Sequence, residues 1–289
     1  RYSHMQKSRK RFFLLEDLSA CLSSFSDTPL LDVRFFLSDI LQCPLAEIFY
    51  GIDLSDQEYD RLMGMLHRRM KLEPVAYILG YTEFWGLRFF VDASVLICRP
   101  DTELLVETVL AQHDKGSICC LDLGSGSGAI ALALASERDK WCIDGVDCSS
   151  AAVSCAIKNR QLHSIDECQV AFFQDDWKAL SSPVSQRVYD VVVSNPPYID
   201  YNCAHVSKST RLFEPSLALF SSGSGLASIK HVIAVASVRL AHAGSLYIEH
   251  GFSQAKDVRS LLASSGFCDV YTIQDYAGHD RVTYAKKMA

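Results

Sequence analysis

Leu15, Leu18 and Leu22 recur three to four residues apart, the spacing that lines one face of a helix. Asp27-Thr28-Pro29 interrupts that pattern, and a second apolar helix is predicted from Leu30 to about Leu41. Ser55-Asp56-Gln57-Glu58 has the form of a capping box, with Ser before the first turn and Glu three residues on. Behind it Tyr59, Leu62, Met63, Leu66 and Met70 fall on one helical face, which reads as core packing. Pro74 breaks the run. Residues 5–80 are therefore expected to form a small helical domain with no catalytic constellation of its own.

From Thr82 to Leu96 the pattern changes. Phe84-Trp85-Gly86-Leu87-Arg88-Phe89-Phe90-Val91 reads as strand, glycine bend and strand, a hairpin in a linker over residues 81–103. Arg99-Pro100-Asp101-Thr102-Glu103 then opens a helix carrying Leu104, Leu105, Val106 and Val109. Residues 104–289 alternate strand and helix. The expected strands are Ile118–Leu123, Trp141–Asp147, Gln169–Phe173, Asp190–Ser194, Ser245–Glu249, Val270–Ile273 and Val282–Ala285. Helical patterns separate the early ones, most clearly Ala129–Ser136 and Ala151–Asn159. This alternation implies an α/β domain with a mostly parallel, doubly wound sheet, whose ligands bind beyond the carboxyl ends of the strands. Ser221 to Gly225 is a short Ser/Gly loop.

Length and composition narrow the classes. A chain of 289 residues holds one large domain, or an ordinary one and a small one. Hydrophobic residues at 49% and charged residues at 21% fit a water-soluble globular protein, and no apolar run reaches the ~18 residues needed to span a bilayer. Arg1 to His4 read as an expression tag ahead of a native start at Met5, with no secretory signal behind it, so the expected compartment is the cytoplasm. The net charge of −6 weighs slightly against wrapping duplex nucleic acid. Arg9, Lys10 and Arg11, and again Arg68, Arg69 and Lys71, read as solvated helix faces. The eleven cysteines are scattered, without C-x-x-C pairs, and the nine histidines lack metal-ligand spacing. Cys119, Cys120, Cys142 and Cys155 lie in apolar runs and read as small buried hydrophobes in a reducing compartment, so no metal site is expected. No oligomerisation pattern stands out, which favours a monomer.

Candidate chemistry starts at Leu121-Asp122-Leu123-Gly124-Ser125-Gly126-Ser127-Gly128, which closes one strand and opens a helix. Glycines let such a turn approach a ligand closely, and the helix start adds unpaired N–H groups. Asp147 ends the next strand, where a carboxylate can accept hydrogen bonds from ribose hydroxyls. Gly124-x-Gly126-x-x-Ala129 also satisfies the dinucleotide fingerprint, so a nicotinamide enzyme is a rival on these residues alone. Asp175-Asp176-Trp177 follows the third strand. An Asp followed by Trp there can bond an exocyclic amine and cover a purine face, or the Trp can simply pack on the scaffold.

Asp190-Val191-Val192-Val193-Ser194-Asn195-Pro196-Pro197-Tyr198-Ile199 decides between these readings. Two consecutive prolines stiffen the loop after an apolar strand and push the residues before them to extended conformations. The loop presents two acceptors, the Asn195 side-chain oxygen and the Pro196 carbonyl, and Tyr198 adds a flat aromatic surface. An amide or aromatic NH2 is a poor nucleophile because its lone pair is delocalised. Two acceptors, one for each N–H, orient the nitrogen towards a methyl donor and stabilise the positive charge that builds on it. No strong base is needed before transfer. No paired-carboxylate or Ser/His/Asp layout competes, and hydride transfer has no use for this loop.

These residues carry a family resemblance over nearly the whole length. The chain resembles the HemK/PrmC family of protein-(glutamine-N5) methyltransferases in Asn195-Pro196-Pro197-Tyr198-Ile199, Pro74-Val75-Ala76-Tyr77-Ile78-Leu79-Gly80, Glu83-Phe84-Trp85-Gly86-Leu87 and Arg99-Pro100-Asp101-Thr102-Glu103. It does so also in Asp122 to Leu132, Glu214-Pro215 with Ala218-Leu219, and Gly278-His279-Asp280-Arg281-Val282. Asn-Pro-Pro-Tyr alone is shared with enzymes that methylate amino groups of DNA and RNA, whereas the stretch from Pro74 to Glu103 is more specific. The resemblance implies a helical N-terminal domain for substrate docking, a β-hairpin linker and a class I (Rossmann-like) methyltransferase domain. It implies S-adenosyl-L-methionine as cofactor, S-adenosyl-L-homocysteine as product, and as substrate the glutamine of the Gly-Gly-Gln motif in class I peptide chain release factors.

Residue by residue, Gly124, Ser125, Gly126, Ser127 and Gly128 would line the methionine end of the cofactor and Asp147 would hold its ribose. Asp176 and Trp177 would lie near the adenine. Asn195 would contact both cofactor and glutamine, with Pro196, Pro197 and Tyr198 shaping the glutamine pocket. Cys98 departs from the family, which usually has Pro before Arg-Pro, and nothing is drawn from the variable Gly278-His279-Asp280. The alternatives are a glutamine methyltransferase of a ribosomal protein and an N6-adenine methyltransferase. The latter predicts a basic groove and a base-flipping pocket, which the acidic net charge disfavours. A binding module without activity would be expected to have lost Asn195 or Asp147, and both are present.

Overall fold

The computed structural model describes residues 10–113 and 116–288. Arg1–His4, the expected start at Met5 and Arg9 of the first basic cluster lie outside the described residues. In chain order, short 3-10 turns aside, the elements are β1 (Lys10–Leu14), α1 (Leu15–Ala20), α2 (Pro29–Leu41), β2 (Gly51–Ser55), α3 (Asp56–Met70), α4 (Val75–Leu79), β3 (Tyr81–Phe84), β4 (Leu87–Phe90), α5 (Glu103–Gln112), β5 (Cys119–Leu123) and α6 (Ala129–Glu137). There follow β6 (Cys142–Asp147), α7 (Ser150–Leu162), β7 (Val170–Gln174), β8 (Tyr189–Ser194), α8 (Lys208–Phe213), α9 (Ser216–Leu219), α10 (Ala227–Arg239), β9 (Leu240–Glu249), α11 (Ala255–Ser264), β10 (Phe267–Gln274) and β11 (Asp280–Lys287).

The chain divides into two compact units. One holds the described residues up to Gly80 together with Ser207–Phe213, and the other holds the rest. In the smaller unit Leu15, Leu18, Leu22, Val33, Phe36, Leu37, Leu62 and Leu66 share one core. The capping box is formed. Ser55 Oγ accepts from the Glu58 N–H at 3.3 Å, and Glu58 Oε2 accepts from the Ser55 N–H at 2.7 Å. Met63 departs from expectation and faces solvent, while Met65 packs against the core.

This unit is not all helix. β1 and β2 form an antiparallel pair, Lys10 opposite Ser55 and Leu14 opposite Gly51. Each strand has five residues, too short for period-2 alternation to stand out from a helical pattern. The second basic cluster is a solvated face only in part, since Arg68 and Lys71 are exposed and Arg69 is not. Arg69 Nε donates to the buried Asp32 carboxylate at 2.7 Å, tying α3 to α2, and Arg68 donates to Glu73 and to the Tyr77 and Ile78 carbonyls. A distant stretch of chain completes the unit, where Ser209 Oγ in α8 donates to the Leu72 carbonyl at 2.7 Å.

In the larger unit β3 and β4 make the expected hairpin, with Phe84 opposite Leu87. Trp85 and Gly86 both take positive φ at its tip, as a two-residue turn requires. The Trp85 N–H donates to Glu103 Oε1 at 2.7 Å. The hairpin lies within the larger unit. The main sheet has seven strands in the order β10-β11-β9-β8-β5-β6-β7. The five strands from β9 to β7 are parallel, and at the other edge β11 pairs antiparallel with both β9 and β10.

Alternate residues of the parallel strands enter two cores, one on each face. Cys120, Val191 and Val193 enter one, and Leu121, Leu123 and Val192 enter the other. Burial on both faces is why these strands read as unbroken apolar runs. β9 and β10 extend further than expected, because His242 to Gly244 in β9 and Asp269 in β10 interrupt the apolar run that the buried Leu240 and Phe267 begin. Cys120 and Cys155 are buried as expected, but Cys119 and Cys142, at the amino ends of β5 and β6, are exposed. Among the described residues no two cysteines are joined by a disulfide. Among the described residues, no helix is long and apolar enough to cross a membrane.

Candidate active site

β5 holds the middle of the site. Leu123 at its end lies in register with Val146 of β6 on one side and Ser194 of β8 on the other. The chain leaves β5 to build β6 and β7, then returns to lay β8 on the opposite side. The loops after β5 and β8 therefore diverge at a topological switch point, where doubly wound sheets bind ligands.

The Gly124-to-Gly128 turn is held from several directions. The Gly124 and Ser125 N–H groups donate to the Val146 carbonyl at 2.8 and 3.0 Å. Asn159, fully buried in α7, donates to the Ser127 carbonyl at 2.9 Å and exchanges two hydrogen bonds with the Phe90 backbone. Positive φ at Gly126 and Gly128 favours glycine at both, for different reasons. A Cβ on Gly128 would stand 2.8 Å from the Phe172 ring, so packing also demands glycine there. A Cβ on Gly126 would meet no protein atom within 4 Å, which leaves that backbone open to close approach.

Asp147 joins this turn. Its Oδ2 accepts from the Gly126 N–H at 2.9 Å and its Oδ1 from the Ser149 N–H at 2.9 Å. Burial raises its pKa, and the Ser149 and Gly126 N–H groups oppose that rise. The Trp177 ring also reaches the loop, lying 3.1 Å from where a Gly124 Cβ would be. Asp176 is not drawn in. It is exposed, and its Oδ1 accepts from the Lys178 N–H at 2.9 Å. Its neighbour Asp175 organises the loop instead, accepting from the N–H groups of Asp176, Ser181 and Ser182.

The Asn195-to-Tyr198 loop leaves β8 beside the glycine turn, anchored by Ser194 Oγ donating to the Leu123 carbonyl at 2.7 Å. Pro196 and Pro197 are buried, while Asn195 and Tyr198 are half-buried. Asn195 Nδ2 donates to Thr102 Oγ1 at 3.2 Å, and its Oδ1 accepts no hydrogen bond among the described residues. Tyr198 is held at both ends. Its hydroxyl donates to Glu249 Oε1 at 3.0 Å, and its carbonyl accepts from Gln254 Nε2 at 3.0 Å. Burial, then the Glu249 charge, raises the phenol pKa, so the ring stays neutral. The Ser221–Gly225 loop braces the same stretch. Ile199 N–H donates to Leu219 and Ser221 N–H to Ile199, at 3.0 and 2.8 Å, and Gly225 packs directly against the Tyr198 carbonyl.

Sequence reasoning assigned no role to Asp122, Thr102, Glu249, Gln254 or Arg281. Asp122 is fully buried at the end of β5, and neither carboxylate oxygen has a hydrogen bond of standard geometry. Burial pushes its pKa up to about 7, with the Ala131 N–H opposing and Asp147 adding to the rise. Ser125 Oγ is also buried without a partner. Glu249 ends β9, Asp122 stands one residue before the end of β5, and burial raises the Glu249 pKa as well. Arg281 pairs with Asp275 at 3.1 Å and with Asp101 at 3.5 Å. A charge closing an apolar strand was the available signal. It picked out Asp147 and applied equally to Asp122 and Glu249.

Comparison with known proteins places the fold in a family. The PrmC N-terminal domain matches residues 14–80, and the Methyltransferase small domain matches residues 99–231. The release factor glutamine methyltransferase of Aliivibrio fischeri is 40% identical over 261 residues, covering 89% of this chain and 90% of that one. That of Vibrio cholerae is 42% identical over 266 residues, covering 90% of each. The chain belongs to the release factor glutamine methyltransferase family. A solved structure of a methyltransferase from Pyrococcus furiosus, 13% identical, aligns with a TM-score of 0.52 over 81% of this chain and 99% of that one, a likeness of fold alone. The family's methyltransferase domain thus spans the glycine turn, Asp147, Trp177 and the Asn195 loop, and its N-terminal domain corresponds to most of the smaller unit.

Proposed function

We propose that this chain transfers a methyl group from S-adenosyl-L-methionine to the side-chain amide nitrogen of the glutamine in the Gly-Gly-Gln motif of class I peptide chain release factors, leaving S-adenosyl-L-homocysteine. The observation that carries the reading is the state of Asn195. Its Nδ2 is committed to Thr102 while its Oδ1 stays unpaired, beside the glycine turn at the switch point. Asn195 Oδ1 and the Pro196 carbonyl would accept the two N–H groups of the glutamine amide and hold its nitrogen in line for transfer. As positive charge develops on that nitrogen, the same two oxygens stabilise it. Tyr198, neutral and fixed at both ends, walls the amide. Once the methyl is in place, the surplus proton is acidic and leaves without a dedicated base.

The residues present fit the cofactor. When bound, it supplies a sulfonium-activated methyl group. Asp122, with two buried unpartnered oxygens, suits the cationic methionine end, and the open backbone at Gly126 admits it. Asp147 would take the ribose and Trp177 the adenine face, with Gly124, Ser125, Ser127 and Gly128 shaping the turn. Asp176 would act only at the exposed rim. We assign residues 5–80 to docking of the protein substrate, 81–103 to the linker and 104–289 to catalysis, in a cytoplasmic monomer without a stable nucleic-acid partner. The test is a methyl-transfer assay with labelled S-adenosyl-L-methionine, offering a release factor, its Gly-Gly-Ala variant and DNA in parallel. Label on the first alone supports the proposal. Label on DNA, or on none, returns the loop to a general amino-group methyltransferase role and moves the search to ribosomal proteins and RNA.

A further inference from the structure

Arg99-to-Glu103 and Glu214-Pro215 carry part of the family resemblance, yet neither holds a group assigned so far to the cofactor or the substrate. The fold brings them together. Pro100–Thr102 form a short turn, closed by the Thr102 N–H donating to the Arg99 carbonyl at 3.0 Å. Each polar residue of the motif meets a different part of the larger unit. Arg99 Nη2 donates to Glu214 Oε1 at 2.6 Å, and Asp101 pairs with Arg281 of β11 at 3.5 Å. Thr102 Oγ1 accepts from Asn195 Nδ2 at 3.2 Å, and Glu103 Oε1 accepts from the Trp85 N–H at the hairpin tip. Just before the turn, the Ile97 N–H donates to the second Glu214 oxygen, Oε2, at 3.2 Å.

Glu214 is the firm end of this arrangement. It is 6% exposed, and both of its oxygens are taken by groups that can only donate, a guanidinium and a backbone N–H. A buried carboxylate stays with its donors, because leaving an oxygen unmatched costs more than the bond contributes. Its two donors stand only two residues apart, so one side chain grips the whole entry to the turn. Pro215 pushes the Glu214 backbone towards extended conformations, and Pro100 restricts the turn itself. At the far end Thr102 is 1% exposed, so bulk water does not compete for its place on Asn195 Nδ2.

We propose that Glu214 is a positioning residue for methyl transfer. By gripping Ile97 and Arg99 it sets the turn, and through Thr102 the turn holds the Asn195 amide with Nδ2 engaged and Oδ1 free for the substrate. The consequence for the rate rests on the function proposed above, whereas the hold on Asn195 does not. Without Glu214 the Arg99 side chain, already 38% exposed, is left to water, and the turn loses its anchor. Asn195 then keeps its acceptor but loses its aim, which is a loss in kcat. A second, smaller effect has another route. Cys98, between the two donors, lies 3.7 Å from Ser127 Oγ in the glycine turn, so a loosened segment also weakens the cofactor site. That part does not pass through Thr102.

The test is a cycle of Glu214→Ala, Thr102→Val and the double variant in the whole chain, assayed with labelled S-adenosyl-L-methionine and a release factor. Each single variant should lower kcat about tenfold, and the double variant should be no slower than the slower single one. KM for S-adenosyl-L-methionine should rise a few-fold in Glu214→Ala and stay level in Thr102→Val. Arg99→Met should repeat the Glu214→Ala result, and it takes that variant's place in the cycle if Glu214→Ala does not fold. Arg99→Lys keeps a charged donor for Glu214 and should recover most of the rate. An unchanged kcat in Glu214→Ala, or losses of rate that multiply in the double variant, overturns the proposal. Nitrogen–proton NMR reads Asn195 without any substrate, its side-chain amide signals being identified by their loss in Asn195→Ala. Glu214→Ala should move these signals, and should move them no further once Thr102→Val is present. Signals that Glu214→Ala leaves in place also overturn the proposal. If they behave as stated while the native chain labels no release factor, the substrate assignment fails and the positioning role stands.

Discussion

Asp122 sits where an ionised carboxylate is hardest to keep, buried at a strand end with neither oxygen hydrogen-bonded in standard geometry. With its pKa pushed up to about 7 in the folded chain, it carries a proton through much of the acid range. A folded-state pKa above the unfolded one gives stability that is fully present below the unfolded value and is lost as pH rises through the folded one. Asp122→Asn should therefore raise the melting temperature of the ligand-free chain above about pH 7 and do little near pH 4. An equal gain at both ends would show that the charge is not the cause. A cation beside Asp122 would pull its pKa down, so cofactor binding should expel a proton and weaken as pH falls below about 7, by at most about tenfold per unit. Calorimetry in two buffers of different ionisation enthalpy reads this release, which Asp122→Asn should abolish. Asn195→Ala removes one of the two acceptors and should cut methyl transfer by at least about tenfold while cofactor binding stays measurable. Unchanged turnover in that variant would rule out the mechanism.

At the scale of elements, the Asn195 loop is stiff for two reasons, and only one is local. The two prolines restrict the backbone by themselves. The other restraint comes from residues far along the chain, Gln254 on the Tyr198 carbonyl, Glu249 on its hydroxyl and Gly225 against its backbone. Gly225 takes positive φ, and a Cβ there would strike the Tyr198 carbonyl oxygen. Gly225→Ala should therefore displace the loop and lower kcat by about tenfold or more, with most of the cofactor affinity retained, because Asp122, Asp147 and Trp177 lie off that loop. A loss of cofactor affinity equal to the loss of rate would mean that the damage is not confined to the loop. The Ser221–Gly225 segment was legible as a loop from its composition. Its role as a brace was not, since that depends on which strand it returns to.

For the whole molecule, the smaller unit is not a contiguous piece of chain, because Ser207–Phe213 belongs to it. A fragment of residues 81–289 keeps every candidate cofactor residue and should bind S-adenosyl-L-methionine within a few-fold of the full chain. It also strips α8 of partners such as the Leu72 carbonyl. Trypsin should then cut at Lys208 or Arg211 faster than in the full chain, as mass spectrometry of the fragments would show. Equal protection would mean that the segment is held without residues up to Gly80. Deleting the smaller unit should raise KM for the release factor, and an unaltered KM would contradict a docking role.

What could be read from the sequence was whatever short-range chemistry dictates. The capping box at Ser55, the hairpin at Trp85-Gly86, the strand–turn–helix at Gly124 and the stiff loop at Asn195 each rest on neighbours a few residues apart. The parallel sheet followed from burial on both faces, which writes itself as apolar runs. The β1–β2 pair could not be read, because its strands are brief and joined across a long interval. Arg69 looked solvated because its partner, Asp32, is far away in sequence. Only the tertiary structure separated the glycine that packing demands, Gly128, from the one left open, Gly126. Only the tertiary structure brought Thr102 to Asn195 and Glu249 to Tyr198, because the residues that hold a loop in place meet through the fold and not along the chain.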